Sequence, residues 1–111
     1  MKISKDLNAA SARAMVLGIL RDGESYGYAM IQRVKELSSG EVEWTEGTLY
    51  PVLHRLEAEG LVSARWGESE TGRKRKYYRL TTEARPVMED VRRQWQAVHG
   101  VLQRLWEVRC A

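Results

Sequence analysis

Apolar residues recur along most of this chain at spacings of three and four, the mark of helices that bury one face. The first such stretch runs from Ala9 to Arg21, with Ala12, Met15, Val16, Ile19 and Leu20 on one side. Asp22-Gly23 ends it, since glycine accepts the left-handed C-cap conformation. Ser25 is the expected N-cap of a second helix, Tyr26 to Leu37, with Met30, Val34 and Leu37 on one face. Ser38-Ser39-Gly40 closes that helix, and Val42-Glu43-Trp44 reads as a short extended piece. Thr45 then caps a third helix to about Glu59, striped by Leu49, Val52, Leu53 and Leu56. Its opposite face carries Gly47, Pro51 and His54, flanked by Tyr50 and Arg55. Pro51 leaves two starts open. With Thr45 as cap it removes an internal hydrogen bond and bends the helix. With Thr48 as cap it sits in the first turn and removes nothing.

The period then changes. Gly60 stops the third helix, and Val62, Ala64 and Trp66 alternate onto one face of a strand from Leu61 to Trp66. Gly67 to Gly72 is a polar turn region, and Lys76 to Leu80 is a second strand in which Tyr77 and Tyr78 point to opposite faces, one core and one surface. Thr81 or Thr82 caps a last helix reaching about Val108. Its apolar positions Ala84, Met88, Val91, Trp95, Val98, Leu102 and Leu105 step by four and three, a heptad seam that points to a partner helix. Val87, Val101 and Val108 add a second flank. Pro86 is expected to kink the first turn. The fold class is therefore mainly α with a small β-hairpin. Residues 1–81 form a winged helix-turn-helix domain, and residues 82–111 form a C-terminal dimerisation helix.

Charge sharpens this picture. The net charge is only +3, yet residues 71–81 hold Arg73, Lys74, Arg75, Lys76 and Arg79 and no acid. Without these five, thirteen basic residues face fifteen acidic ones. The positive excess thus sits on the hairpin, where it attracts phosphate. Three helices, a cationic hairpin and a long helix suit duplex DNA: a helix enters the major groove and the hairpin reaches the backbone or minor groove. A winged-helix module with an acidic protein partner is the competing reading. No nucleophile–base set, paired carboxylates or phosphate-cradling loop can be assembled, so an enzyme is not expected. One cysteine, Cys110, and two distant histidines, His54 and His99, make no metal site, and no cofactor is expected. The lone cysteine and the absence of an apolar core in Met1 to Asn8 fit a cytoplasmic location, and no apolar run is long enough to span a membrane.

The segment Gly47-Thr48-Leu49-Tyr50-Pro51-Val52-Leu53-His54-Arg55-Leu56-Glu57, followed by Gly60-Leu61-Val62, resembles the signature of PadR-type transcriptional regulators. Tyr26-Gly27-Tyr28 and Lys76-Tyr77-Tyr78-Arg79-Leu80-Thr81 resemble it too. The likeness covers nearly the whole chain, with a length similar to the short-tailed branch. Ala84, where many members have glycine, and the following Pro86 depart from the pattern at the junction of wing and helix. The resemblance implies a homodimer joined through the last helix, usually a repressor on a palindromic operator. The candidate DNA-binding residues are Thr45, Thr48, Tyr50, Pro51, His54 and Arg55 on the third helix and Arg73, Lys74, Arg75 and Lys76 on the wing. Tyr50 either bonds a phosphate through its hydroxyl, which the resemblance favours, or packs beside the wing. His54 and Arg55 are base readers or solvated surface. Some relatives bind flat aromatic compounds at the dimer interface. Trp95, with Met88, Val91 and Val98 beside it, is therefore either dimer core or the site of a planar aromatic effector.

Overall fold

The computed structural model describes residues 1–107, in which four helices and a three-stranded antiparallel sheet follow the order α1 (Lys5–Arg21), β1 (Ser25–Tyr26), α2 (Gly27–Leu37), α3 (Glu46–Ala58), β2 (Val62–Glu68), β3 (Lys74–Leu80), α4 (Ala84–Trp106). Val108 and Cys110 lie outside the described residues. The α1 helix begins four residues before Ala9. Ser4 caps it, its hydroxyl oxygen accepting from the Leu7 amide at 3.2 Å. This first turn carries none of the apolar stripe, so periodicity passes over it. Ser25 does not cap α2. It pairs with Tyr78, and Tyr26 with Tyr77, so the two residues form a third strand on the open edge of β3. Tyr26 then becomes the N-cap residue, without a side-chain cap bond.

The core gathers Ala12, Val16, Leu17 and Leu20 of α1, Met30 and Val34 of α2, and Leu49, Leu53 and Leu56 of α3. Val62 and Tyr78 of the sheet and Ala84 of α4 complete it with three loop residues. Val42 and Trp44, alternating in the extended connection, supply two of these. Leu37 and Trp66 lie on the expected faces but are 68% and 69% exposed. Leu37 is the last residue of α2, and Trp66 lies on the hairpin beyond Ala64, toward its tip.

Thr45 settles the third helix. Its hydroxyl oxygen accepts from the Thr48 amide at 3.3 Å, so α3 starts at Glu46 and Pro51 lies inside it. Gly60, at φ 76°, takes the left-handed position that lets the Leu61 amide reach back to the Leu56 carbonyl at 2.9 Å. The hairpin pairs Val62 with Leu80 through to Glu68 with Lys74, longer at the tip than the sequence suggests. Neither Thr81 nor Thr82 caps α4. The Thr81 hydroxyl donates instead to the Gly60 carbonyl at 2.7 Å, Thr82 donates to Glu83, and Glu83 occupies the N-cap without a side-chain cap bond. Pro86 is the third residue of α4. Its missing amide is one of those that no helix satisfies, so it removes no bond there.

Candidate nucleic-acid interface

Strand alternation sorts the hairpin's side chains. Ser63, Arg65 and Gly67 of β2 pair with Arg79, Tyr77 and Arg75 of β3 and share one face. Tyr26 joins them, its ring edge-to-face with Tyr77 at 5.7 Å. The Arg75 guanidinium lies 4.1 Å from the Tyr26 ring centre, and that of Arg65 lies 4.8 Å from Tyr77. Arg65 also forks onto Glu24, with bonds of 2.9 and 2.5 Å. This pairing holds the Glu24 carboxyl below the usual carboxylate range. The stack Glu24–Arg65–Tyr77–Tyr26–Arg75 therefore fastens the wing to the turn before α2.

The other face carries Trp66, Lys76 and Tyr78. Lys76 reaches Glu57 of α3 at 3.9 Å and lies 5.6 Å from the centre of the buried Tyr78 ring. Burial, with Tyr50 and Glu57 nearby, pushes the Tyr78 phenol above its ordinary value. Two of the wing cations thus have work inside the fold. Arg73 and Lys74 are exposed and make no ion pair among the described residues.

Between the wing, the start of α2 and the first turns of α3 lies a groove of about 610 Å³. Arg73, Lys74, Arg75 and Lys76 line one side, and Tyr50 and Glu46 line another. Four of the expected wing residues and Tyr50 therefore come together. Tyr50 is half-buried, and its hydroxyl lies so close to Gly27 that a Cβ there would approach it to 2.6 Å. Glycine at position 27 is what admits the ring. Pro51, His54 and Arg55 are exposed farther along α3, outside the groove. Thr45 and Thr48 stand at the N-terminus of α3, their hydroxyls 3.3 Å apart.

Tyr26, Gly27, Tyr28 and Trp66 also line the groove and were not among the sequence candidates. Tyr28 is 67% exposed. The unpaired start of α2 has no periodic signal, and Trp66 reads as core until the overhang of the hairpin is known. Glu46 is a first-turn acid of α3, as the helix dipole favours, and faces the same groove.

A second groove, about 540 Å³, separates α1 from α4. Met88, Val91 and Trp95 line it opposite Ala14, Met15 and Gly18, while Val98 lies outside it, half-exposed one turn on.

The chain matches the model of the "Transcriptional regulator PadR-like family" over residues 16–90. It is 36% identical over 89 residues to Transcriptional regulator Rv3488 of Mycobacterium tuberculosis, covering 80% of this chain and 79% of that protein. Among solved structures, a transcriptional regulator from Clostridium thermocellum superposes with a TM-score of 0.82 at 28% identity, over 95% of this chain and 99% of the other. A PadR family regulator from Eggerthella lenta gives a TM-score of 0.71 at 33% identity, over 94% and 88%. The matched segment runs from α1 through the wing into α4, so it spans every element that lines the cationic groove. The chain belongs to the PadR-like family of transcriptional regulators, proteins that bind DNA and carry no catalytic chemistry.

Proposed function

We propose that this chain is a homodimeric repressor that binds a palindromic operator and is released by a planar aromatic effector. The observation that carries the DNA contact is the groove in which the wing cations, Tyr50 and the uncapped start of α2 converge. Free amides at a helix start and unpaired cations both favour a phosphate oxygen. In this reading α3 enters the major groove with Thr45, Thr48, Pro51, His54 and Arg55 toward the bases. Tyr50 and the wing hold the backbone, and residues 82–111 are the dimerisation unit. Replacing Arg73 and Lys74 by Ala leaves the internal roles of Arg75 and Lys76 intact. It is expected to weaken binding to all duplexes alike and to lower the slope of log K against log salt by about two per protomer, roughly four for the dimer. An unchanged slope overturns the wing's part.

The effector reading draws support from the second groove. Its walls are mostly apolar, and the Trp95 indole on its rim can stack on a flat ring. A ligand there shifts the helix carrying the dimer contact, and acts only through its differential affinity for the free and DNA-bound forms. Aromatic dyes are expected to quench tryptophan fluorescence and release DNA, and Trp95→Ala to lose both responses. Retained release in Trp95→Ala places the sensor elsewhere.

A further inference from the structure

Gly47 and Pro51 are the poorest helix formers available, and they stand one turn apart on the exposed side of α3. No side-chain packing among the described residues requires a glycine at position 47. A Cβ built on Gly47 meets only the Thr45 Oγ1, at an ordinary 3.6 Å, and the Gly47 φ is not in the left-handed region. Pro51 is exposed, caps no turn and is the sixth residue of the helix. The two are linked through the backbone. Residue 51 would normally donate its amide to the carbonyl of residue 47. Proline has no amide hydrogen, and its ring crowds that carbonyl. The Gly47 carbonyl is therefore left without its helical donor, at a position with no side chain to cover it.

We infer that the Gly47 carbonyl is a main-chain base reader, accepting a hydrogen bond from an exocyclic amine in the DNA major groove. The amine is the N6 group of adenine or the N4 group of cytosine, the two bases that present donors there. The bare backbone at Gly47 supplies the close approach, and Pro51 supplies the vacant acceptor. Pro51 is thus a specificity determinant that touches the base through another residue's carbonyl. His54, on the same face, reads farther along the groove. This inference rests on α3 being the helix that faces DNA.

The test is a cycle between protein and base. Preferred duplexes are selected from a random pool with the wild-type protein. Each adenine in a half-site is then replaced by purine, and each cytosine by 2-pyrimidinone, which remove the amine alone. One such replacement is expected to weaken the wild type roughly three- to tenfold, the worth of one hydrogen bond. Its identity tells adenine from cytosine. Pro51→Ala, which returns an amide to the Gly47 carbonyl, is expected to bind the original duplex equally weakly and to ignore that replacement. Gly47→Ala keeps the acceptor but fills the approach. It is expected to melt higher, bind the selected duplex more weakly and keep the wild-type salt slope. Equal losses for wild type and Pro51→Ala at every amine overturn the inference, and so does full-strength binding by Gly47→Ala. Both outcomes leave DNA binding itself standing. A wild-type protein with no salt-dependent duplex binding removes the parent reading along with this one.

Discussion

Thr45 shows how one side chain can serve the fold and the interface together. Its hydroxyl oxygen closes the first turn of α3 by accepting from the Thr48 amide, and it stands exposed at the end proposed to meet DNA. The two roles separate by substitution. Thr45→Ala removes the cap and is expected to cost about 1 kcal/mol in denaturant unfolding. Thr45→Asp keeps a cap oxygen and suits the helix dipole, so it is expected to hold wild-type stability. Its new charge opposes phosphate, and duplex binding is expected to fall. Wild-type binding by Thr45→Asp would leave Thr45 a cap and nothing more. The same residue also resolves what the sequence left open at Pro51. A Thr-x-x-Thr pattern offers two caps of similar quality, and the Thr45 hydroxyl accepting from the Thr48 amide selects the first. Tyr77 and Tyr78 were readable in advance, because strand alternation forces neighbours apart: Tyr78 is 1% exposed and Tyr77 stacks at the surface. Arg75 was not readable, since its place over Tyr26 depends on a strand pairing across some fifty residues.

The wing is the element whose position matters most and whose anchoring is least local. β1 is two residues long and forms only because the edge of β3 has backbone groups to pair. No periodicity exists in two residues, so the strand is invisible in the sequence, while α1, α3, the hairpin and α4 follow from their stripes. Their ends shift where caps decide, as at Ser4 for α1 and Glu83 for α4. The anchor of the wing, Glu24 with Arg65, gives a pH signature. The Glu24 carboxyl titrates below its ordinary value when folded, chiefly through the Arg65 hydrogen bonds. Its contribution to stability is therefore fully present above the unfolded carboxylate value and is lost as pH falls through the lowered folded value. Glu24→Gln is expected to lose this part of the acid-side slope in urea midpoints measured from neutral pH downward. Because the pair is exposed, the effect on neutral-pH stability is expected to be small. The effect on DNA affinity is expected to be larger, since a loosened wing must be ordered again on binding. Identical acid slopes for the variant and the wild type would mean that the Glu24–Arg65 pair does not anchor the wing.

At the scale of the whole molecule, α4 is the element that carries the proposed dimer contact. Ala84 is fully buried, and Val87, Met88 and Val91 pack against the core, so the start of the helix belongs to the DNA-binding head. Beyond Trp95 the seam leaves the body. Val98 and Leu102 are each 49% exposed and Leu105 is 71% exposed, all on the heptad that began at Ala84. The described molecule measures 61 Å along its greatest extent and 31 and 21 Å across. A free helix burying nothing along three turns is unfavourable in water, and a second copy offers an equivalent stripe. In the proposed dimer, two heads joined this way would gain affinity on a palindrome because binding of the first raises the local concentration of the second. The interruption is best placed beyond the core-packed residues. Leu102→Asp with Leu105→Asp is expected to give a folded monomer in sedimentation at micromolar concentration, with the heat-unfolding of the head retained. Its operator affinity is expected to fall by roughly 10²- to 10⁴-fold, the usual worth of bivalence, while contact with an isolated half-site stays at the wild-type level. A wild-type protein that sediments as a monomer would sink the dimer. A variant that remains dimeric would place the contact elsewhere, with the α1–α4 groove lined by Met15, Met88 and Trp95 as one apolar alternative.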